Sequence, residues 1–163
     1  MGNVVILSPK TIGWERIGLM KESICENQCD VTLLCIDGYE RGVLSGRMYH
    51  PYFGAGIQIN SAMDFLKKLE FMLETVDIPR SNYKIRTFCP LKKADIAELS
   101  RDELKRGKRA TFALRFLFRQ NASWQGTIIW SEGKQEKNFR SVLELLLLMD
   151  SVLGKNAIES DKV

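Results

Sequence analysis

The chain contains few of the residues that mark specialised protein classes. Its 163 residues include only 4 prolines and 12 glycines, while 45% of the residues are hydrophobic and 27% are charged. So little proline and glycine excludes collagen-like and low-complexity sequences, and this apolar fraction is sufficient for a buried core. A net charge of +4 is too small for a protein that coats nucleic acid. We therefore expect a single domain spanning residues 1–163.

Long hydrophobic runs are absent as well. The run Leu145–Met149 has five residues, whereas a helix that spans a bilayer needs about 20. The short N-terminal run Val4–Leu7 has no basic segment before it and no small-residue cleavage site after it. We therefore expect a cytoplasmic protein without a signal peptide or a membrane-spanning segment.

The few cysteines do not have the spacing of a metal site. Cys25, Cys29, Cys35 and Cys89 are separated by four, six and 54 positions, whereas a zinc ribbon needs two close pairs of thiolates around one ion. Cys35 also lies within an apolar run, where a reduced thiol behaves as a small hydrophobic group. The spacing predicts reduced cysteines, no metal site and no cofactor.

Catalytic motifs are absent too. The chain has no Walker loop, no GxGxxG after a strand, and no HExxH or DxD motif. Its one histidine, His50, has no serine or cysteine nearby in a triad-like context. We predict no catalytic residues and a non-enzymatic protein, with an enzyme acting on a small metabolite as the third of three functional alternatives.

Two stretches of the chain resemble each other when one is shifted by 80 positions, which aligns Gly46 with Gly126 and Ser61 with Ser141. The shift also aligns Asp64 with Glu144, Phe65 with Leu145, Leu69 with Met149, Glu70 with Asp150 and Leu73 with Leu153. This pattern predicts two copies of one unit, residues 29–78 and 108–154, related by a pseudo-twofold axis. The alternative is that two strand-then-helix stretches align by chance.

Each copy has the pattern of three strands followed by a helix. Phe112, Leu114, Phe116 and Phe118 alternate with other residues, which is the period of a strand with one buried face. Serine followed three residues later by an acid, at Ser61 and again at Ser141, is the signature of a capping box at a helix start. We therefore expect an α+β fold of two β-β-β-α repeats, with the helices packed on an antiparallel sheet. Gly154 is the predicted C-cap of the second helix, and residues 155–163 the predicted flexible tail.

Positive charge is concentrated in the second half of the chain. Residues 101–140 include ten basic and four acidic residues, a net charge of +6. Strand alternation predicts that Arg115 and Arg119 leave the sheet on the face opposite the Phe row, with Arg47 and Tyr49 at matching positions of the first copy. The residues predicted to bind nucleic acid or a partner are Arg47, Tyr49, Lys105, Arg106, Lys108, Arg109, Arg115, Arg119 and Gln125.

A sheet face of this kind predicts single-stranded nucleic acid as the ligand, because arginine contacts phosphates and tyrosine stacks on bases. Two alternatives remain for the same positions: they are merely solvated, or a second chain covers them. Leu143, Leu147 and Leu148 lie outside the apolar stripe of the second helix, so we expect either the other copy or a second chain to cover them. The second functional alternative is therefore a structural or regulatory homodimer that binds a protein partner and uses these leucines as its seam.

One segment carries a sequence resemblance. Residues 118–126, FRQNASWQG, followed by residues 139–145, FRSVLEL, resemble a characteristic stretch of a family of small uncharacterised bacterial proteins. The resemblance implies a bacterial cytosolic setting and brings no activity with it. The predicted repeat is similar in topology to the purine-rich-element-binding and Whirly-type single-strand binders, a likeness of fold without a shared motif.

Overall fold

The chain forms one antiparallel sheet and two helices. In the computed structural model the described residues are 31–53, 55–77, 79, 86–89, 105–120 and 123–160, with side chains described as far as residue 155. The elements in chain order are β1 (Val31–Glu40), β2 (Val43–Tyr49), β3 (Ile57–Ile59), α1 (Ala62–Val76), β4 (Ala110–Phe118), β5 (Gln125–Trp130), β6 (Gln135–Phe139) and α2 (Val142–Ser160). The six strands lie in the order β3-β2-β1-β4-β5-β6. The predicted α+β class is confirmed.

The main core lies between the helices and one face of the sheet. Phe65, Leu69 and Met72 of α1 and Leu145 and Met149 of α2 are buried in the same cluster as alternate residues of the strands. The predicted core positions Phe112, Leu114 and Phe116 are among these buried residues. A smaller buried group, Leu33, Cys35 and Tyr49, occupies the opposite face of the sheet.

Two bulges interrupt the strand pairings. The register shifts between Ile36 and Gly38 in β1 and between Phe116 and Phe118 in β4. Because an extra residue reverses the alternation beyond it, the faces assigned from a strict period of two no longer hold there. Phe118, predicted to lie in the buried Phe row, is 56% exposed, and the prediction that Arg119 faces outward is wrong because its side chain is only 1% exposed.

The strand pairings on the two sides of the sheet follow the same pattern. Leu33 pairs with Ala113 where β1 meets β4, near the centre of the sheet. Gly46 pairs with Ile59 between β2 and β3, and Gly126 pairs with Phe139 between β5 and β6. The pairing of β2 with β3 therefore has a counterpart 80 positions later in the pairing of β5 with β6.

Both predicted capping boxes form at the helix starts. Ser61 Oγ accepts a hydrogen bond from Asp64 N at 3.0 Å, and Ser141 Oγ accepts one from Glu144 N at 3.2 Å. Each acidic side chain also accepts from the N–H of the residue before the serine, at 3.0 Å for Asn60 and 2.7 Å for Arg140. The bonds to the serine hydroxyls satisfy N–H groups that each helix leaves without partners, and the bonds from residues 60 and 140 hold the chain that enters each helix.

The end of α2 differs from the expectation. The helix continues through Gly154 to Ser160, so the C-cap predicted at Gly154 is wrong. A glycine ends a helix where it adopts the left-handed conformation, and Gly154 keeps the helical one. Residues 161–163 and parts of both predicted copies lie outside the described residues, so the flexible tail and the copy boundaries stay predictions. Neither described helix is long and apolar enough to cross a membrane.

Candidate functional site

A short cationic segment, residues 105–109, leads into β4 and is fixed to the sheet; we call it the basic loop. Three consecutive backbone N–H groups hold it: Gly107 N donates to Thr111 Oγ1 at 3.0 Å, Lys108 N to Asp37 Oδ1 at 3.1 Å and Arg109 N to Ile36 O at 2.9 Å. These bonds leave the loop little conformational freedom, so its side chains are presented from a defined backbone.

Glycine at position 107 allows the loop to lie this close to β1. A Cβ atom at Gly107 would lie 2.1 Å from Ala110 O and 2.5 Å from Ile36 N, both backbone atoms that cannot rotate away. Any other residue would therefore force the loop away from β1. The sequence contains this signal as a glycine between two basic pairs, Lys105-Arg106 and Lys108-Arg109.

Arg47 positions the basic loop and is not available as predicted for a ligand. Its Nε donates to Asp37 Oδ2 at 2.9 Å, and its Nη2 donates to Asp37 Oδ1 at 3.1 Å and to Arg106 O at 3.0 Å. This is a two-point arginine–carboxylate pair, the strongest geometry for such an interaction. Arg47 and Asp37 together connect β1 and β2 to the backbone of the loop.

Tyr49, which the sequence predicted as an open stacking residue, is buried. Lys105 Nζ lies 5.7 Å from the centre of its ring, within the distance of a cation–π interaction. Partial burial lowers the pKa of Lys105, and the nearby Cys35 acts in the opposite direction. The ring of Tyr49 therefore packs against the Lys105 side chain of the basic loop.

Cys35 lies beside this cluster but is not a reactive group. Burial raises the pKa of its thiol to about 12, although the charge of Arg47 acts to lower it. A thiol with such a pKa stays protonated at neutral pH and is a poor nucleophile. Cys35 and Cys89 are free thiols, and Cys25 and Cys29 lie outside the described residues. No cluster of metal-ligating side chains is present in the described part of the chain.

The remaining predicted cations separate into two groups. Arg115 is half-buried on β4, at the strand position that pairs with Val31 and Thr127. Arg119 lies on the helix side, where its Nη2 donates to Glu70 Oε1 at 2.7 Å. Gln125 is exposed at the start of β5. The structure therefore brings Arg47, Tyr49 and the basic loop together and removes Arg119 from the predicted surface.

The basic loop has an excess of positive charge. The side chain of Arg106 is 69% exposed, although its Nε lies 4.0 Å from Glu132 Oε1, and Lys108 is exposed. The four cations of the loop and Arg47 carry five positive charges, and the carboxylates that pair with them are Asp37 and Glu132, which leaves a net charge of +3 among these seven groups. Such a concentration attracts phosphates and other anions.

The predicted apolar seam on α2 is only partly covered. Leu143 is 66% exposed and Leu147 is 58% exposed, whereas Leu148 packs against the main core. The described part of the chain therefore leaves the first two uncovered, and their coverage by a second chain stays a prediction. An open groove remains there, lined by Arg140, Ser141, Leu143, Glu144 and Leu147.

Comparison with protein-family models, curated proteins and solved structures finds no match for this chain.

Proposed function

We propose that the protein is a non-enzymatic binding module whose basic loop binds the phosphates of single-stranded nucleic acid. The observation that carries the proposal is a cationic loop fixed to the sheet by three backbone hydrogen bonds, with Arg106 and Lys108 extending from it. Part of the same proposal is a bacterial cytoplasmic setting, which the resemblance of residues 118–145 supports.

The backbone of the loop leaves phosphate binding to its side chains. The N–H groups of residues 107–109 already donate to the sheet, so they cannot form an anion-binding nest. The same bonds reduce the conformational entropy that a ligand would otherwise have to overcome. Long, flexible lysine and arginine side chains on a fixed backbone suit phosphates that recur along a strand without sequence preference.

The contact surface is smaller than the sequence predicted. Arg47 and Arg119 are each paired with a carboxylate, and Tyr49 is buried beneath Lys105. Exposed contacts come from the basic loop, with Arg115 farther along β4. We expect about two to four phosphate contacts, and therefore moderate affinity that decreases as salt increases.

The direct test is fluorescence anisotropy of a labelled oligothymidylate at low salt. We expect the wild-type protein to bind, and Arg106→Ala combined with Lys108→Ala to weaken binding at least about tenfold, since each charge-assisted contact contributes about 1.5–3 kcal/mol. The matched control is Lys67→Ala with Lys137→Ala, which removes two exposed charges elsewhere. No binding at low salt, or equal losses in the two double variants, would contradict the proposal.

We also propose that the two halves of the sheet and their helices are copies of one unit. Support comes from strand pairings, bulges and capping bonds that recur 80 positions apart, a recurrence that favours a repeat over chance alignment of two strand–helix stretches. The matching pairs are Gly46–Ile59 with Gly126–Phe139, Cys35–Arg47 with Arg115–Thr127, and Ser61–Asp64 with Ser141–Glu144.

A homodimer formed through α2 is the second candidate function. The exposed Leu143 and Leu147 favour it, because they form an apolar surface beside an Arg140–Glu144 ion pair within the chain. Two copies related by twofold symmetry would bring these leucines together and remove them from water. A homodimer formed through these leucines would carry two basic loops and would therefore bind a long nucleic-acid strand with higher avidity.

Leu147→Glu tests this second candidate. Because Leu147 is largely exposed, we expect the free energy of unfolding of a monomer to change by no more than about 0.5 kcal/mol. A dimer should instead dissociate, since the substitution buries an unpaired charge at the seam. Sedimentation velocity over a range of concentrations measures both species. Wild-type protein that is monomeric at every concentration would exclude the dimer.

A further inference from the structure

The turn that follows β2 displays an aromatic side chain on a fixed backbone. Tyr52 is 64% exposed, yet its backbone N–H donates to His50 Nδ1 at 3.2 Å. Phe53 N donates to His50 O at 3.0 Å, and the Phe53 side chain packs against the main core. His50 itself is buried. The residues on both sides of Tyr52 therefore anchor the turn, although the tyrosine itself is largely exposed to solvent.

The ring of Tyr52 is also held in orientation. It contacts the Phe53 ring edge-on, with 5.4 Å between the ring centres and 70° between the ring planes. Phe53 contacts His50 in a similar way, at 6.3 Å. A preordered tyrosine loses little side-chain entropy when a ligand packs against it, which makes this residue type effective in binding surfaces.

The segment that follows the turn and the basic loop both lie against Tyr49. Lys105 Nζ lies 5.7 Å from the centre of the Tyr49 ring, and a Cβ at Gly56, just after the turn, would lie 2.6 Å from the same ring. Three residues of chain separate Tyr49 from Tyr52, a span of at most about 11 Å. Tyr52 therefore lies within one short stretch of chain of the residue that Lys105 covers, a separation that a strand of several nucleotides can span.

We propose that Tyr52 stacks on an unpaired base of the strand whose phosphates the basic loop binds, an inference that rests on the proposed function. Proteins that bind single strands without sequence preference combine a positive surface with aromatic rings in this way. A duplex keeps its bases stacked inside and cannot offer this contact. The ligand class is therefore single-stranded nucleic acid with accessible bases, and a simple polyanion satisfies only the cationic half of the site.

The test compares two oligomers of equal length and phosphate number, one of thymidylate and one of abasic deoxyribose phosphate. We expect the wild-type protein to bind the thymidylate oligomer more tightly. Tyr52→Ala should weaken that binding about 5- to 150-fold, the range found when a stacking residue is replaced by alanine, and should leave the abasic oligomer unaffected. Tyr52→Phe should retain most of the affinity, because the stacking face remains.

Met63→Ala is the matched control, since it removes another exposed apolar side chain that lies on α1. We expect it to change neither affinity. Equal weakening of both oligomers by Tyr52→Ala, or no weakening of either, would overturn the stacking role and leave phosphate binding intact. If the wild-type protein bound neither oligomer, the proposed function would fail together with this inference. Thermal unfolding of Tyr52→Ala and Tyr52→Phe confirms that both variants are folded.

Discussion

Replacing Glu70 by alanine is expected to lower the free energy of unfolding by about 3–5 kcal/mol, the cost of removing the carboxylate from a buried ion pair. Glu70 Oε1 accepts from Arg119 Nη2 at 2.7 Å, and its Oε2 accepts from Trp124 Nε1 at 2.9 Å. The Arg119 side chain is almost fully buried. Without the carboxylate, the guanidinium and the indole N–H both lose a close acceptor in a region that excludes water.

Urea unfolding monitored by tryptophan fluorescence and circular dichroism measures the effect of Glu70→Ala. Glu74→Ala, which removes an exposed carboxylate one turn later on α1, should change the stability by less than about 0.5 kcal/mol. A double-mutant cycle tests the coupling of the two residues. Arg119→Ala should lower the free energy of unfolding much less in the Glu70→Ala background than in the wild-type protein, because the two side chains interact directly. A loss below about 1 kcal/mol for Glu70→Ala would contradict this account of the pair.

Gly46→Ala and Gly126→Ala should each lower the free energy of unfolding by about 1–3 kcal/mol or more, the usual cost of overpacking. A Cβ at Gly46 would lie 2.1 Å from Cys35 O, and one at Gly126 would lie 1.9 Å from Arg115 O. Both neighbours are backbone atoms next to a bulge, so the strands themselves would have to separate. Equal losses at the two positions would also support the proposed repeat.

Gly154→Ala is the control for both glycine substitutions. Gly154 lies within α2, and a Cβ there has no neighbour within 4 Å. Since alanine is favoured over glycine inside a helix, we expect this variant to be more stable by up to about 1 kcal/mol. If Gly46→Ala and Gly126→Ala lowered the free energy of unfolding by no more than Gly154→Ala changes it, the close contacts between the strands would not constrain the chain. Thermal unfolding by circular dichroism compares the three variants directly.

Features that depend on neighbours in the sequence could be predicted from the sequence. The capping boxes at Ser61 and Ser141 need only residues three positions apart, and Phe112, Leu114 and Phe116 follow a strict strand period. The faces of Phe118 and Arg119 could not be predicted, because a bulge that carries no distinct residue signal reverses the alternation before them. One inserted residue is enough to exchange the two faces of a strand.

The candidate site depended on contacts between distant segments. The positive charge of residues 105–109 is evident in the sequence, but the carboxylate of Asp37 that engages Arg47 and the loop comes from a different strand. The burial of Tyr49 beneath Lys105 could not be predicted either, because these two residues also belong to distant segments of the chain. Tyr52 had no periodic pattern around it, and only its exposure on an anchored turn identifies it as a candidate.

The central claim is that the basic loop binds phosphates, and the salt dependence of oligothymidylate binding tests it most directly. The logarithm of the association constant should decrease linearly with the logarithm of salt concentration, with a slope of about −0.7 for each phosphate contact. Removing Arg106 and Lys108 together should make the slope shallower by about 1.4, since two contacts are lost. Lys67→Ala with Lys137→Ala should leave the slope unchanged. Identical slopes for the wild-type protein and the Arg106→Ala, Lys108→Ala variant would contradict the claim.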